Sequence, residues 1–70
     1  MNIEFVKEKI KTKLGQKVRI TVFGLRNKIN YYEGIISNIY PNIFTINENG
    51  TERSFAYRDV ITKDISIRYL

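Results

Sequence analysis

The chain opens on a helical spacing of apolar residues. Ile3, Val6, Ile10 and Leu14 recur at intervals of three, four and four, which lays them on one stripe of a 3.6-residue helix. Lys7 and Lys11 border the stripe on one side, and Lys9 and Lys13 on the other. Glu4 and Glu8 lie towards the back, each three residues before a lysine, a spacing that mildly favours the helix. Asn2 is suited to cap the N-terminus, and Gly15 to stop the helix. The pattern predicts an amphipathic helix over about residues 3–14, its stripe closing a core and its lysine stems lying around it.

From Gln16 the period falls to two. Val18, Ile20 and Val22 alternate with Lys17, Arg19 and Thr21, as in a strand with one wet face. Gly24-Leu25-Arg26-Asn27-Lys28 interrupts the alternation and reads as a basic loop. A second strand follows over about Ile29 to Ile39, in which Gly34 marks a bulge, a sharp bend or a close backbone approach. Tyr40-Pro41-Asn42 is a turn, because Pro41 cannot donate to a ladder and Asn42 tolerates turn geometry. A third strand spans Ile43 to Asn47 with Phe44 and Ile46 on one face, and Asn49-Gly50 marks a hairpin. The fourth strand, Thr51 to Tyr57, alternates Arg53, Phe55 and Tyr57 against Glu52, Ser54 and Ala56. A tight turn or single 3₁₀ turn is expected at Tyr57–Val60, then a last strand over Thr62 to Leu70 with Ile65, Ile67 and Tyr69 on one face.

One helix followed by five short, tightly connected strands predicts a mainly β fold. The expected architecture is a single domain of residues 1–70, a small, strongly bent antiparallel barrel over about residues 16–70 with the helix on one end or mouth. SH3-like and Sm-like barrels both have this outline, and closing the sheet hides edges that a flat sheet would expose. An Sm-like protein would bind RNA as a ring of subunits, the fourth strand of one paired with the fifth of the next.

Seventy residues allow one modest core, and with no Cys there is no disulfide to support it. Stability must come from efficient packing or from self-association, so a homodimer or other homo-oligomer is one expectation. No run approaches the ~20 apolar residues of a membrane span. The lysine-studded N-terminus also differs from a signal peptide, so a soluble cytoplasmic protein without membrane contact is expected.

The formal net charge of +5 is uneven: residues 1–28 hold eight Lys or Arg against two Glu, and the rest four against five acids. Such asymmetry points to a polyanionic or acidic partner for the first part of the chain, or to a solubilising surface. Arg26 and Lys28 of the basic loop, with Lys17 and Arg19 beside them, are candidate contacts to phosphates or to an acidic protein surface. Tyr31 or Tyr32 must face outward in a regular strand and could stack a base or anchor an interface. Arg53 on the fourth strand completes the candidate partner-binding set.

Tyr40 and Tyr57 read instead as structural residues, their hydroxyls capping nearby turns, and Asp59 as an acceptor of turn N–H groups. The chain has no His and no Cys, and its carboxylates show no close pair or metal-loop spacing. No catalytic residue, metal or cofactor is therefore expected.

Specific runs resemble the small Veg proteins of Gram-positive bacteria. They begin with Ile10-Lys11, Leu14-Gly15 and Lys17-Val18, continue through Gly24, Arg26 and Lys28, and include Gly34-Ile35. Tyr40-Pro41-Asn42-Ile43-Phe44 and Arg53-Ser54-Phe55-Ala56-Tyr57, the latter followed by Asp59-Val60-Ile61-Thr62, carry the resemblance furthest. It covers roughly residues 10–70. Departures are Leu25 and Asn27 in a loop usually denser in Arg and Lys, Phe55 and Ala56 in place of hydroxyl-bearing residues, and an end at Leu70 without the short tail of many members. The resemblance implies an SH3-like barrel and a non-enzymatic regulatory role in stimulating biofilm formation, through effects on a transcriptional repressor of the matrix genes. A transcription regulator or nucleic acid is the implied kind of partner.

Overall fold

The computed structural model describes residues 2–24 and 28–70. Helix α1 (Ile3–Lys11) is followed by strands β1 (Lys17–Phe23), β2 (Ile29–Ile39), β3 (Ile43–Glu48) and β4 (Thr51–Ala56), a short helix α2 (Tyr57–Ile61), and strand β5 (Ile65–Tyr69). The strands form one antiparallel sheet in the order β4-β3-β2-β1-β5. The fold is mainly β with an N-terminal helix, and it has the barrel-like outline expected from the sequence.

The Asn2 side chain accepts the Phe5 N–H at 2.9 Å, the predicted cap of α1. Val6 and Ile10 are buried and Ile3 is half-buried against them. The predicted stripe ends sooner than its spacing suggested. The helix stops at Lys11, residues 12–15 form turns, and Leu14 is exposed rather than in the core. Once the chain leaves helical geometry, the 3.6-residue period no longer carries Leu14 round to the buried side. Gly15, at φ +87°, redirects the chain, and its N–H donates to the Ile36 carbonyl at 2.9 Å.

β2 is the long strand that bends the sheet. Its first half pairs with β1, from Lys17 opposite Ile35 to Phe23 opposite Ile29, and its second half pairs with β3. The β2–β3 register shifts between Ile36 and Asn38, so the bulge lies just beyond Gly34. Gly34 itself marks a close approach: a Cβ there would stand 2.5 Å from the Asn47 carbonyl oxygen. Asn49 and Gly50 both have positive φ, 52° and 91°, the left-handed pair that a tight two-residue hairpin requires.

Aromatic rings run in series through the core. Tyr57 stacks on Phe44 at 5.7 Å between centroids, Phe44 meets Phe55 at 5.8 Å, and Phe55 meets Tyr32 at 5.8 Å. The Tyr57 hydroxyl donates to the Tyr40 carbonyl at 2.8 Å, so the expected structural role of Tyr57 holds. Tyr40 serves through its backbone, while its side chain stands exposed. The expected turn at Tyr57–Val60 is the helical turn α2, which leads the chain from β4 on one margin of the sheet to β5 on the other. Among the described residues the Asp59 carboxylate accepts no hydrogen bond; the Asp59 backbone carbonyl accepts from the Thr62 hydroxyl at 3.3 Å. Among the described residues no buried side-chain polar atom lacks a partner.

Candidate binding face

Strand alternation divides the candidate residues between two faces. Val18, Ile20 and Val22 face inward, opposite Tyr69, Ile67 and Ile65 of β5. Lys17, Arg19, Thr21 and Phe23 therefore face outward. Across the β1–β2 pair they stand opposite Ile35, Glu33, Tyr31 and Ile29, which share their face. On the other side, Arg19 and Thr21 stand opposite Arg68 and Ser66.

The outer face is thus laid out in cross-strand rows. One row is Ile29 and Phe23, the next Tyr31, Thr21 and Ser66, the next Glu33, Arg19 and Arg68, and the last Ile35 and Lys17. Phe23, Ile29 and Ile35 are each 48% exposed and Tyr31 63%. Phe23, Ile29 and Tyr31 thus stand together at one end of the face, with Ile35 beyond the Glu33–Arg19 row.

The charges on this face are partly spent. The Arg19 guanidinium lies 2.7 Å from the Glu33 carboxylate. Lys17 and Arg68 make no ion pair among the described residues, and Lys28 stands exposed at the start of β2. Arg26, the central residue of the predicted basic loop, lies outside the described residues, as do Leu25 and Asn27.

Tyr32 and Arg53 occupy a different place from the rest of the set. Tyr32 stands opposite Ile20 and is half-buried, so Tyr31 is the outward tyrosine of the pair. Arg53 stands opposite Ile46 and so shares the inner face, at the open margin of the sheet. Its guanidinium lies 4.7 Å from the Tyr32 ring centroid and 2.7 Å from the Glu48 carboxylate. The hydrogen bond from Arg53, helped by one from the Glu33 backbone N–H, holds the Glu48 carboxyl below the usual carboxylate range, and Glu48 in turn raises Arg53. Arg53 lines the gap between β4 and the β1–β5 side, about 410 Å³, together with Val22, Phe55 and Ile65. The structure therefore gathers Lys17, Arg19 and Tyr31 on one face and leaves Arg53 apart from them.

Arg68 belongs to the outer face although the sequence did not single it out. Its signal was the alternation of β5, which sets Arg68 opposite to Ile67 and Tyr69. Only the β1–β5 register brings it beside Arg19.

Fold and face together define a small helix-bearing, barrel-like β domain with an exposed aromatic and cationic surface. The model of the family described as biofilm formation stimulator VEG matches residues 1–68, and the chain belongs to that family. No curated protein matches it significantly. No helix among the described residues is long and apolar enough to cross a membrane.

Proposed function

We propose that this chain stimulates biofilm formation as a non-catalytic, cytoplasmic binding module that docks on a transcription regulator through the outer face of β1 and β2. The observation that carries this reading is the exposed stripe of Phe23, Ile29, Tyr31 and Ile35 on one face. Phe23, Ile29 and Tyr31 make the apolar end of this face and the Glu33–Arg19–Arg68 row crosses it before Ile35, a mixture of exposed aromatic and arginine side chains of the kind enriched in protein interfaces. Pairing of Arg19 with Glu33 removes one of the cations a phosphate backbone would need. A non-catalytic role accords with a chain that has no His or Cys to act as base, nucleophile or ligand.

The test uses Phe23→Ser and Tyr31→Ser in a strain lacking the gene, with binding to the purified matrix-gene repressor measured alongside. Both exposed variants should fold, lose biofilm stimulation and bind the repressor at least tenfold more weakly. Wild-type stimulation by both variants would refute the outer face as the docking surface.

Nucleic acid is the second reading, favoured by Lys17 and Arg68 on the same face as Tyr31 and by Lys28 just before β2, none of them in an ion pair among the described residues. Fluorescence anisotropy with single-stranded RNA and double-stranded DNA separates the two. Binding that falls steeply with salt, and weakens on Lys17→Ala with Lys28→Ala, would favour nucleic acid over the protein partner.

A further inference from the structure

β5 ends the sheet, and its outer edge carries open backbone groups. The Phe23 N–H donates to the Asp64 carbonyl at 3.0 Å, and the Leu70 N–H to the Lys17 carbonyl at 3.0 Å. In an antiparallel ladder the residues bonded to one neighbour alternate with those that point away from it. Asp64, Ser66, Arg68 and Leu70 therefore bond towards β1, and Ile65, Ile67 and Tyr69 direct their N–H and C=O groups to the open edge. None of these backbone groups has a partner among the described residues. Edge strands are usually protected by proline, by a bulge or by a charged side chain turned inward. β5, with the sequence Ile-Ser-Ile-Arg-Tyr, has none of these, whereas β4 at the opposite margin carries Arg53 on its inner face.

Beside this edge lies a groove of about 460 Å³ between α1 and β5. Helix α1 packs on α2 and β2, which leaves Phe5 60% exposed along the groove with Ile67 and Tyr69 on the opposite wall. Among the described residues the charged ones lining it are Lys9 and Lys63, with no carboxylate. Lys13 extends the positive wall, its ammonium 5.4 Å from the Tyr69 ring centroid. On the other side of the strand Arg68 points to the outer face. Asp64, the acidic residue just before β5, is engaged by the Thr62 hydroxyl at 2.8 Å.

From the free edge, the apolar groove and the cationic border, we infer that β5 accepts an extended partner segment as a sixth strand, in which acidic and apolar residues alternate. The added strand would complete the backbone ladder at Ile65, Ile67 and Tyr69. Its apolar side chains would enter the groove against Phe5 and Ile67. Its alternate, acidic side chains would meet Arg68, and its ends would meet Lys9 and Lys63. This edge is a second site beside the outer face of β1 and β2, and Phe23 and Arg68 stand where the two meet.

The probe is a seven-residue, end-blocked peptide alternating glutamate with valine or isoleucine, titrated to millimolar concentration into the full chain. Amide resonances and hydrogen exchange are followed by NMR. The expected result is a shift and slowed exchange at the Ile65, Ile67 and Tyr69 amides, with the β4 amides unchanged. Lys9→Glu, on the exposed side of α1, should weaken the glutamate peptide by about fivefold to tenfold and improve binding of a lysine counterpart. Phe5→Ser should weaken both peptides. Unchanged amides on β5 at millimolar peptide, or indifference to Lys9→Glu, would overturn the inference. So would a free protein that sediments as an oligomer with those amides already protected, since a second copy would then be the occupant.

Discussion

Arg19 and Arg68 stand directly opposite each other across the β1–β5 pair, two guanidinium groups in one cross-strand row. Like charges so placed destabilise a sheet. Glu33, on the far side of Arg19, offsets one of them and leaves Arg68 unpaired among the described residues. An unpaired cation kept beside another is an arrangement suited to an acidic partner rather than to the free fold.

Arg68→Glu should therefore separate stability from function. Replacing the repulsive row with an attractive one is expected to stabilise the free protein by about 0.2–1 kcal/mol. Thermal unfolding would register this as a rise of a few degrees in Tm. The same variant should stimulate biofilm formation less than wild type in a complemented strain, because its contact with an acidic surface is reversed. A variant that is both more stable and fully active would show that Arg68 meets no partner.

Gly34→Ala should be among the most damaging small substitutions. The added Cβ would fall 2.5 Å from the Asn47 carbonyl oxygen, and that atom belongs to the β3 backbone, which cannot rotate away. Overpacking of this kind costs about 1–3 kcal/mol, and a backbone neighbour places the cost at the upper end. Chemical denaturation would measure the loss. An alanine variant of wild-type stability would mean that β2 and β3 are less closely apposed than the structure shows.

Tyr57 couples α2 to the turn before β3 in two separable ways. Tyr57→Phe removes only the hydrogen bond to the Tyr40 carbonyl and should cost about 0.5–1.5 kcal/mol. Tyr57→Ala also removes the ring stacked on Phe44 at 5.7 Å and should cost about 3–5 kcal/mol, enough to unfold a domain of this size. Equal effects from the two variants would assign the role to the hydroxyl and not to the ring.

Stability should fall at both ends of the pH range, for different reasons. The Arg53 hydrogen bond lowers the folded-state pKa of Glu48, so its contribution is present above the ordinary glutamate value of about 4.3 and is lost as pH falls through the lowered folded value. Tm measured down to strongly acidic pH should show this limb, and Glu48→Gln should make it shallower. Burial raises the hydroxyls of Tyr57 and Tyr69, so their contribution is full below the ordinary tyrosine value of about 10 and is lost as pH rises through the raised values. Tyr57→Phe should flatten part of that alkaline limb. An unchanged profile in either variant would remove its residue from the account.

Much of the scaffold could be read from neighbouring residues alone. The period of 3.6 over Ile3 to Ile10 and the period of two over Lys17 to Val22 each report which side of an element is buried. Asn2, Gly15 and Asn49-Gly50 mark ends and turns because only particular side chains suit those backbone conformations. The runs around Tyr40-Pro41 and Ser54–Thr62 further pointed to the family to which the chain belongs. All of these signals act within a few residues, so one-dimensional text is enough to carry them.

The binding surfaces depended on pairing between distant segments. Alternation required one of Tyr31 and Tyr32 to face out, but only the register of β2 against β1 selected Tyr31. Arg53 looked like a companion of Lys17 and Arg19 until the β3–β4 pairing set it on the inner face over Tyr32. Arg68 became a neighbour of Arg19, and β5 a free edge beside the α1 groove, through the strand order β4-β3-β2-β1-β5. A shift of one residue in register moves every side chain of a strand to the other face, and strand order decides which backbone is left open. Local periodicity thus determined the elements and their buried sides, while long-range hydrogen bonding decided which charges and rings meet on the surface.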